Sequence, residues 1–211
     1  MLNSTQEASI GSADSDNSLS LLPEQALLVT SGIDHASWNY RPLLGRIQRL
    51  RFDLIRSILR GTYATRLLEI GYGSGVFVPE LAKYTEELHG IDPHPFSEKV
   101  KTVLAQNGFK ANLVQGTATN LPFEDGLFQT VVAVSALEFI DDLDSVCREV
   151  KRVLEPEGRF VVVTPGHSPI LDLGVRMITG ASPKDDFQKR REKILPCLYR
   201  EFVVHLRVDY P

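Results

Sequence analysis

Three glycines at alternate positions, Gly71, Gly73 and Gly75, directly follow the apolar run Leu67-Leu68-Glu69-Ile70. A strand that runs into Gly-x-Gly-x-Gly and then a helix builds a cradle at the strand end. Without Cβ atoms the chain turns sharply and lets a ligand approach the backbone. The helix expected from Val76 would open with free N–H groups pointing at that ligand. A Walker phosphate loop is excluded, because no Gly-Lys-Ser/Thr ending follows. A dinucleotide fingerprint would place its third glycine at Val76, whereas here it comes one residue early, at Gly75. A purely structural strand–helix turn stays open from the loop alone.

The next acid sits where such a loop needs one. Leu88-His89-Gly90-Ile91 reads as a strand ending at Asp92, which lies 17 positions beyond Gly75. An ionised Asp only accepts hydrogen bonds, so it suits a ribose diol. Nicotinamide dinucleotides and S-adenosyl nucleosides share that diol, and Asp92 does not separate them. A helix N-cap is its plainer use.

Around this pair the pattern alternates strand and helix. Strands are expected over 66–70, 88–91, 111–115, 130–135 and 159–164. Helices are expected over 76–84, 97–107 (closed by Gly108) and 143–154 (closed by Glu155-Pro156-Glu157-Gly158). This predicts an α/β fold with a doubly wound, mostly parallel sheet and right-handed crossovers. The ligand would lie at the carboxyl ends of the strands. Residues 23–60 read as mainly helical. Ile47, Leu50, Leu54 and Ile58 form one stripe, and Arg46, Arg49, Asp53, Arg56 and Arg60 form another, with Gly61 as the stop. The C-terminal part suggests helices over 170–178 and 183–193 and a last strand over 201–209.

The organisation expected is a disordered tail over 1–20, an N-terminal helical cap over 21–62 and a ligand-binding domain over 63–211. The small polar composition of the tail cannot offset the entropy of ordering. The whole chain has 211 residues, a net charge of -4 and 43% hydrophobic residues, which suits one such domain and gives no global signal for nucleic acid. Cys147 and Cys197 form no CxxC pair, so neither a disulfide framework nor a metal site is expected, and a cytoplasmic setting is the simplest reading. No apolar run reaches the about 18 residues of a membrane span, and no signal peptide is visible. The arginine stripe is most simply a solvated face, with peripheral membrane contact as its sharper reading.

Three further elements follow in order: Gln115-Gly116-Thr117-Ala118-Thr119, then Leu121-Pro122-Phe123-Glu124-Asp125, and, past the fourth strand, Leu137-Glu138-Phe139-Ile140 leading to Val153-Leu154-Glu155-Pro156-Glu157-Gly158. With the glycine loop and Asp92 they make residues 65–165 resemble the class I S-adenosylmethionine-dependent methyltransferases. The likeness is to the small-molecule group that includes quinone-biosynthesis enzymes. The resemblance implies a Rossmann-like methyltransferase fold and S-adenosyl-L-methionine as cofactor. It implies that Glu69, Gly71, Tyr72, Gly73 and Gly75 surround the methionine part. Asp92 and Pro93 would lie at the ribose, Thr117, Ala118 and Thr119 at the adenine, and Ser135 and Leu137 beneath the cofactor. Pro165 and Gly166 would end the fifth strand on the acceptor side.

Three positions depart from that pattern. Thr117 stands where many relatives carry an acid for the adenine amino group, and a neutral hydroxyl contributes less than a charged acceptor. Gln129 replaces an Asp, and Phe139 replaces a His after Leu-Glu. His167, after the fifth strand, is the candidate general base. His94 probes the adenosine edge, and His35, Trp38 and Tyr40 belong to a segment able to fold over the site. The expected function is methyl transfer to a small organic, lipophilic acceptor. A cofactor-binding module without turnover and a nicotinamide oxidoreductase are the alternatives.

Overall fold

The computed structural model describes residues 18–32, 34–42, 44–164 and 185–208. Helix α1 (Leu44–Leu59) precedes strand β1 (Ala64–Ile70). Then come α2 (Val78–Leu81), β2 (Thr85–Asp92), α3 (Ser97–Gln106), β3 (Asn112–Gln115), β4 (Phe128–Val134), α4 (Leu143–Val153), β5 (Leu154–Val163) and α5 (Asp185–Glu201). The five strands form one sheet in the order β3-β2-β1-β4-β5, and every neighbouring pair is parallel. The chain winds outward from β1 to β3, returns to β4 on the other side of β1, and continues to β5. The strand order therefore reverses between β1 and β4, and their carboxyl ends frame a crevice.

Alternation along the two central strands places apolar side chains on both faces. Leu67 and Val132 join Phe52, Phe77, Val100 and Leu104 in one core. Leu68, Val131 and Ala133 join Val146, Val150 and Ile194 in the other. Burying each large aliphatic side chain contributes roughly 1.5–3 kcal/mol, so a near-continuous apolar β4 is what a doubly covered strand requires.

Four expectations are corrected. The helix after the glycine loop is one α turn, Val78–Leu81, passing into a 3-10 turn, Ala82–Tyr84, with Pro79 in its first turn. Its leading N–H groups are already used: Val78 donates to the Gly75 carbonyl at 3.2 Å and Glu80 to that of Phe77 at 3.0 Å. In α1 the core face is Phe52, Ile55 and Leu59, rotated from the stripe read in the sequence, because Phe52 stacks on Phe77 below the glycine loop at 4.2 Å. The run Leu154 to Gly158 belongs to β5 rather than closing α4 as a loop, with a register irregularity opposite Phe128 and Thr130. Residues 203–208 form no strand, and Val203 is 80% exposed. Among the described residues no edge pairs with them, and alternation without a pairing partner does not make a strand. The helix expected over 170–178, together with Pro165, Gly166 and His167, lies outside the described residues.

Before α1 the chain is strapped across the glycine loop. The Leu22 N–H donates to the Val76 carbonyl at 3.0 Å, the Ser20 N–H donates to Glu80 Oε2 at 2.8 Å, and the Tyr40 hydroxyl donates to the Leu22 carbonyl. Single 3-10 turns at Glu24–Ala26 and Ala36–Tyr40 shape this segment.

Candidate active site

The glycine loop meets the end of β4 at the crevice. Gly71 has φ +80°, and a Cβ there would lie 2.7 Å from the Ala136 Cβ. The two strand ends therefore touch only because position 71 lacks a side chain. Beside Ala136, Ser135 is left-handed at φ +51°, and its N–H donates to the Val163 carbonyl at 2.7 Å. A non-glycine residue held there is strained, and such strain gathers at ligand sites.

Gly73 is clamped on both sides of its peptide backbone. Its N–H donates to Asp92 Oδ2 at 2.9 Å, and its carbonyl lies 2.8 Å from His94 Nε2. The Phe96 N–H donates to His94 Nδ1 at 3.1 Å. Nδ1 is thereby the acceptor, so the proton sits on Nε2 and is donated to Gly73. Asp92 Oδ1 accepts the His94 N–H at 3.2 Å. Each carboxylate oxygen keeps a second lone pair for another donor. Asp34 of the N-terminal strap completes the cradle: its Oδ2 lies 3.7 Å from where a Gly73 Cβ would stand. Asp34 is held by the Thr30 hydroxyl at 2.6 Å and the Ala36 N–H at 3.1 Å.

The next wall follows β3. Gly116 donates to the Asp92 carbonyl at 3.0 Å, and the Thr117 and Thr119 hydroxyls pair at 3.1 Å above buried Ala118. The Leu121-Pro122-Phe123 element is pinned to α4 by the Arg152 fork. That guanidinium donates to the carbonyls of Leu121 (2.9 Å) and Phe123 (2.7 Å) and to Asp125 (2.8 Å), while Glu149 accepts the Leu121 N–H at 2.7 Å.

Buried side-chain polar atoms without hydrogen-bond partners are rare in folded proteins. Here, among the described residues, they are Asn39 Oδ1, Arg51 Nε, Glu69 Oε2, the Tyr72 hydroxyl, Ser74 Oγ, Glu138 Oε2 and Thr164 Oγ1. They belong to the strap, α1, the end of β1 and its loop, and the segments following β4 and β5. Five of the seven, on Glu69, Tyr72, Ser74, Glu138 and Thr164, stand at or just past the carboxyl end of a strand. Glu69 is 4% exposed, and burial, then the charge of Asp92, pushes its carboxyl up to about 8. Glu138 is 1% exposed and is raised to about 7 by burial, against the pull of its own backbone N–H and of the Arg51 and Arg191 guanidinium groups.

Residues 68–162 match the family described as methyltransferase domain. The uncharacterized methyltransferase YcgJ of Bacillus subtilis is 34% identical over 111 residues, covering 51% of this chain and 44% of that protein. Demethylmenaquinone methyltransferase of Mycobacterium marinum is 36% identical over 107 residues, again 51% and 44%. The crystal structure of YcgJ superimposes with a TM-score of 0.53 at 26% identity, covering 67% of this chain and 66% of that one. Residues 68–162 carry the methyltransferase domain of that family. The chain spans less than half the length of either of these relatives.

The cofactor of that family carries an ammonium, a sulfonium, a ribose diol and an adenine. The crevice offers chemistry for part of this set: a buried carboxyl with an unpartnered oxygen at Glu69, a carboxylate with spare acceptor capacity at Asp92, and a backbone stripped of Cβ atoms at Gly71 and Gly73. The structure brings Glu69, Gly71, Gly73, Asp92, Ser135 and Leu137 to one crevice. Gly75 instead packs inward, its Cβ position 3.1 Å from Val100. Tyr72 turns beneath the loop, its ring against Gly90 and edge-on to His94, with its hydroxyl raised by burial. Pro93 is exposed, its carbonyl taken by Gln115 Nε2 at 3.2 Å. Tyr40, tied to Leu22 and pushed by burial up to about 12, is not a base. His35 is exposed and stacked on Trp38 at 4.1 Å. Among the described residues no helix is long and apolar enough to cross a membrane.

Three residues here were given no role of their own by the sequence reading: Asp34, Arg51 and Glu138. The signal for two of them existed. Arg51 lies about 40° around α1 from Ile55, a charge on the apolar face rather than on the arginine stripe. Glu138 is an acid inside the otherwise apolar Leu137-Glu138-Phe139-Ile140 turn.

Proposed function

We propose that the protein transfers a methyl group from S-adenosylmethionine to a small organic acceptor. The observation that carries this reading is the cradle between β1 and β4, where the Gly71–Ala136 contact meets the unpartnered carboxyl of Glu69. Glu69 would hold the cationic methionine end, with Gly71, Tyr72, Gly73 and Gly75 shaping the loop around it. Asp92 would accept from the ribose hydroxyls, with Pro93 at the rim. Thr117, Ala118 and Thr119 would border the adenine, and Ser135 and Leu137 would form the floor. His94 is a positioning residue that fixes the Gly73 carbonyl. When bound, the cofactor supplies an electrophilic methyl on a sulfonium, and the protein's task is to align a nucleophile with it in a dry pocket.

A lipophilic acceptor is favoured by two named relatives, the demethylmenaquinone methyltransferase above and a ubiquinone biosynthesis O-methyltransferase of Azorhizobium caulinodans. Isothermal titration of the full chain with S-adenosylmethionine and with S-adenosylhomocysteine tests the reading. Binding of both in the micromolar range is expected. Absence of heat from either at high micromolar concentration overturns it.

A further inference from the structure

The acceptor half of the crevice holds charges that the cofactor half leaves unexplained. Glu138 follows β4 two residues after Ala136, the residue that meets the glycine loop. Its side chain is 1% exposed with Oε2 unpartnered. Arg51 reaches the same region from α1, with Nε unpartnered and its guanidinium 4.9 Å above the Phe52 ring. Burial lowers Arg51 to about 10, so it stays a cation at neutral pH, and the charges of Glu138 and Asp34 act on it. From α5, Arg191 faces Glu138 electrostatically, and Arg190 donates to the Glu138 carbonyl at 3.0 Å while pairing with Asp141 at 2.9 Å. Four segments, the strap, α1, the turn after β4 and α5, thus converge on one buried carboxyl and the cations around it.

Each acceptor class meets this arrangement differently. A carboxylate acceptor would pair with Arg51 but brings no proton for Glu138 to take. An ammonium would be repelled by Arg51 and Arg191. A neutral hydroxyl suits both groups: its proton has a carboxylate to go to, and the oxyanion left behind faces a guanidinium. The hydroxyl must be acidic enough to give its proton to a carboxylate, which points to a phenol or enol.

We propose that Glu138 is the proton acceptor and Arg51 the oxyanion-facing cation of an acceptor site for a phenolic hydroxyl. This rests on the methyl-transfer reading above. The O–H proton passes to Glu138 Oε2, and the O–H bonding pair remains on oxygen. An oxygen lone pair forms the new C–O bond to the methyl carbon. The C–S bond that breaks leaves its pair on sulfur, giving a neutral thioether, and Glu138 then releases its proton to solvent. Arg191 and Arg190 are positioning residues that hold the Glu138 turn against α5.

The test uses the full chain saturated with S-adenosylhomocysteine and three probes of one ring type: 4-methylphenol, 4-methylbenzoate and 4-methylbenzylamine. Equilibrium titration at pH 7 is expected to give at least tenfold tighter binding of the phenol than of the other two. Glu138→Gln and Arg51→Met are each expected to abolish that preference, with S-adenosylhomocysteine affinity held within threefold. Glu138→Asp and Arg51→Lys, which keep the charges, should restore part of it and guard against misfolding in the neutral variants. Tighter benzoate or amine binding, no binding of any probe, or a phenol preference that survives Glu138→Gln overturns the proposal while leaving the cofactor reading intact. Failure of S-adenosylhomocysteine to bind wild-type protein overturns the cofactor reading itself, and this site with it.

Discussion

The two halves of the crevice are built in different ways. The half proposed for the cofactor is local: Gly71, Gly73, Asp92 and His94 come from two adjacent strands and the turns that leave them, and backbone hydrogen bonds fix them. The half proposed for the acceptor is assembled from distance: Arg51, Glu138 and Arg191 belong to three elements spread across the chain. In the first, the constraint is steric and any intrusion should be felt at once. In the second, the constraint is electrostatic, and a change of charge should be felt first in the choice of acceptor.

The largest effect that separates steric from merely conformational demand comes from two glycines with the same backbone angle. Gly61 and Gly71 both have φ +80°, but nothing lies within 4 Å of a Cβ at Gly61, whereas Ala136 lies 2.7 Å away at Gly71. Gly61→Ala should cost only the left-handed penalty, about 1–2 kcal/mol. Gly71→Ala should cost that plus an overpacking penalty, about 3 kcal/mol or more in total, and should abolish cofactor binding. Urea unfolding of both variants with parallel S-adenosylhomocysteine titration measures the difference. Equal losses would show that the β1–β4 contact is not the constraint.

The next effect tests the buried carboxyl at the meeting of the halves. Glu69 is raised from its ordinary value near 4.5 to about 8. Below pH 4.5 folded and unfolded chains both hold this proton. Between 4.5 and 8 the folded chain holds it more tightly, so folding takes up a proton and stability falls as pH rises. Above 8 the contribution is lost and the curve is flat again. Glu69→Gln should remove this group's downward slope, making the variant more stable than wild type at pH 8.5, and should weaken binding of the cationic cofactor. The same linkage predicts proton release when S-adenosylmethionine binds near pH 7, read by calorimetry in buffers of different ionisation enthalpy. A wild-type slope unchanged in the variant would remove Glu69 from the account.

Arg152→Ala sits between these extremes. It removes a fork that satisfies the carbonyls of Leu121 and Phe123 and pairs Asp125 and Glu149. Charge-assisted bonds of this kind contribute roughly 1.5–3 kcal/mol, so a loss of about 2 kcal/mol is expected in thermal or urea unfolding. Because the loop it holds borders the Thr117 wall, cofactor affinity should fall as well, whereas 4-methylphenol selectivity at Glu138 should not change.

What was legible in the sequence follows the same division. Strand periods, the glycine spacing and Asp92 are short-range signals, and the structure places them at one strand order and one crevice. The helix after the loop was overread because sequence does not show that Val78 and Glu80 spend their N–H groups on Gly75 and Phe77. The α1 face was rotated because its direction is set by Phe77, a residue from another element. The segment 201–209 alternates like a strand, yet strand formation depends on a partner edge that composition does not reveal. Glu138 was visible only as an acid in an apolar turn. Its meaning comes from Arg51, which is 87 positions away in sequence.

The smallest effect sharpens the cofactor half by repairing it. Thr117 and Thr119 spend their hydroxyls on each other at 3.1 Å in an exposed turn, at the position where the family resemblance implies an acid. Thr117→Asp replaces a neutral acceptor with a charged one and frees Thr119, and a charge-assisted hydrogen bond is roughly twice as strong as a neutral one. An exposed site dilutes that gain through solvent, so the expected change is an about fivefold tightening of S-adenosylhomocysteine binding. Stability should be nearly unchanged, because the turn is held by Gly116 and the Arg152 clamp rather than by the threonine pair. Adenosine, which shares the adenine but lacks the methionine end, should gain by the same factor. A gain for S-adenosylhomocysteine without one for adenosine would place Thr117 away from the adenine and shift the boundary between the two halves toward β3.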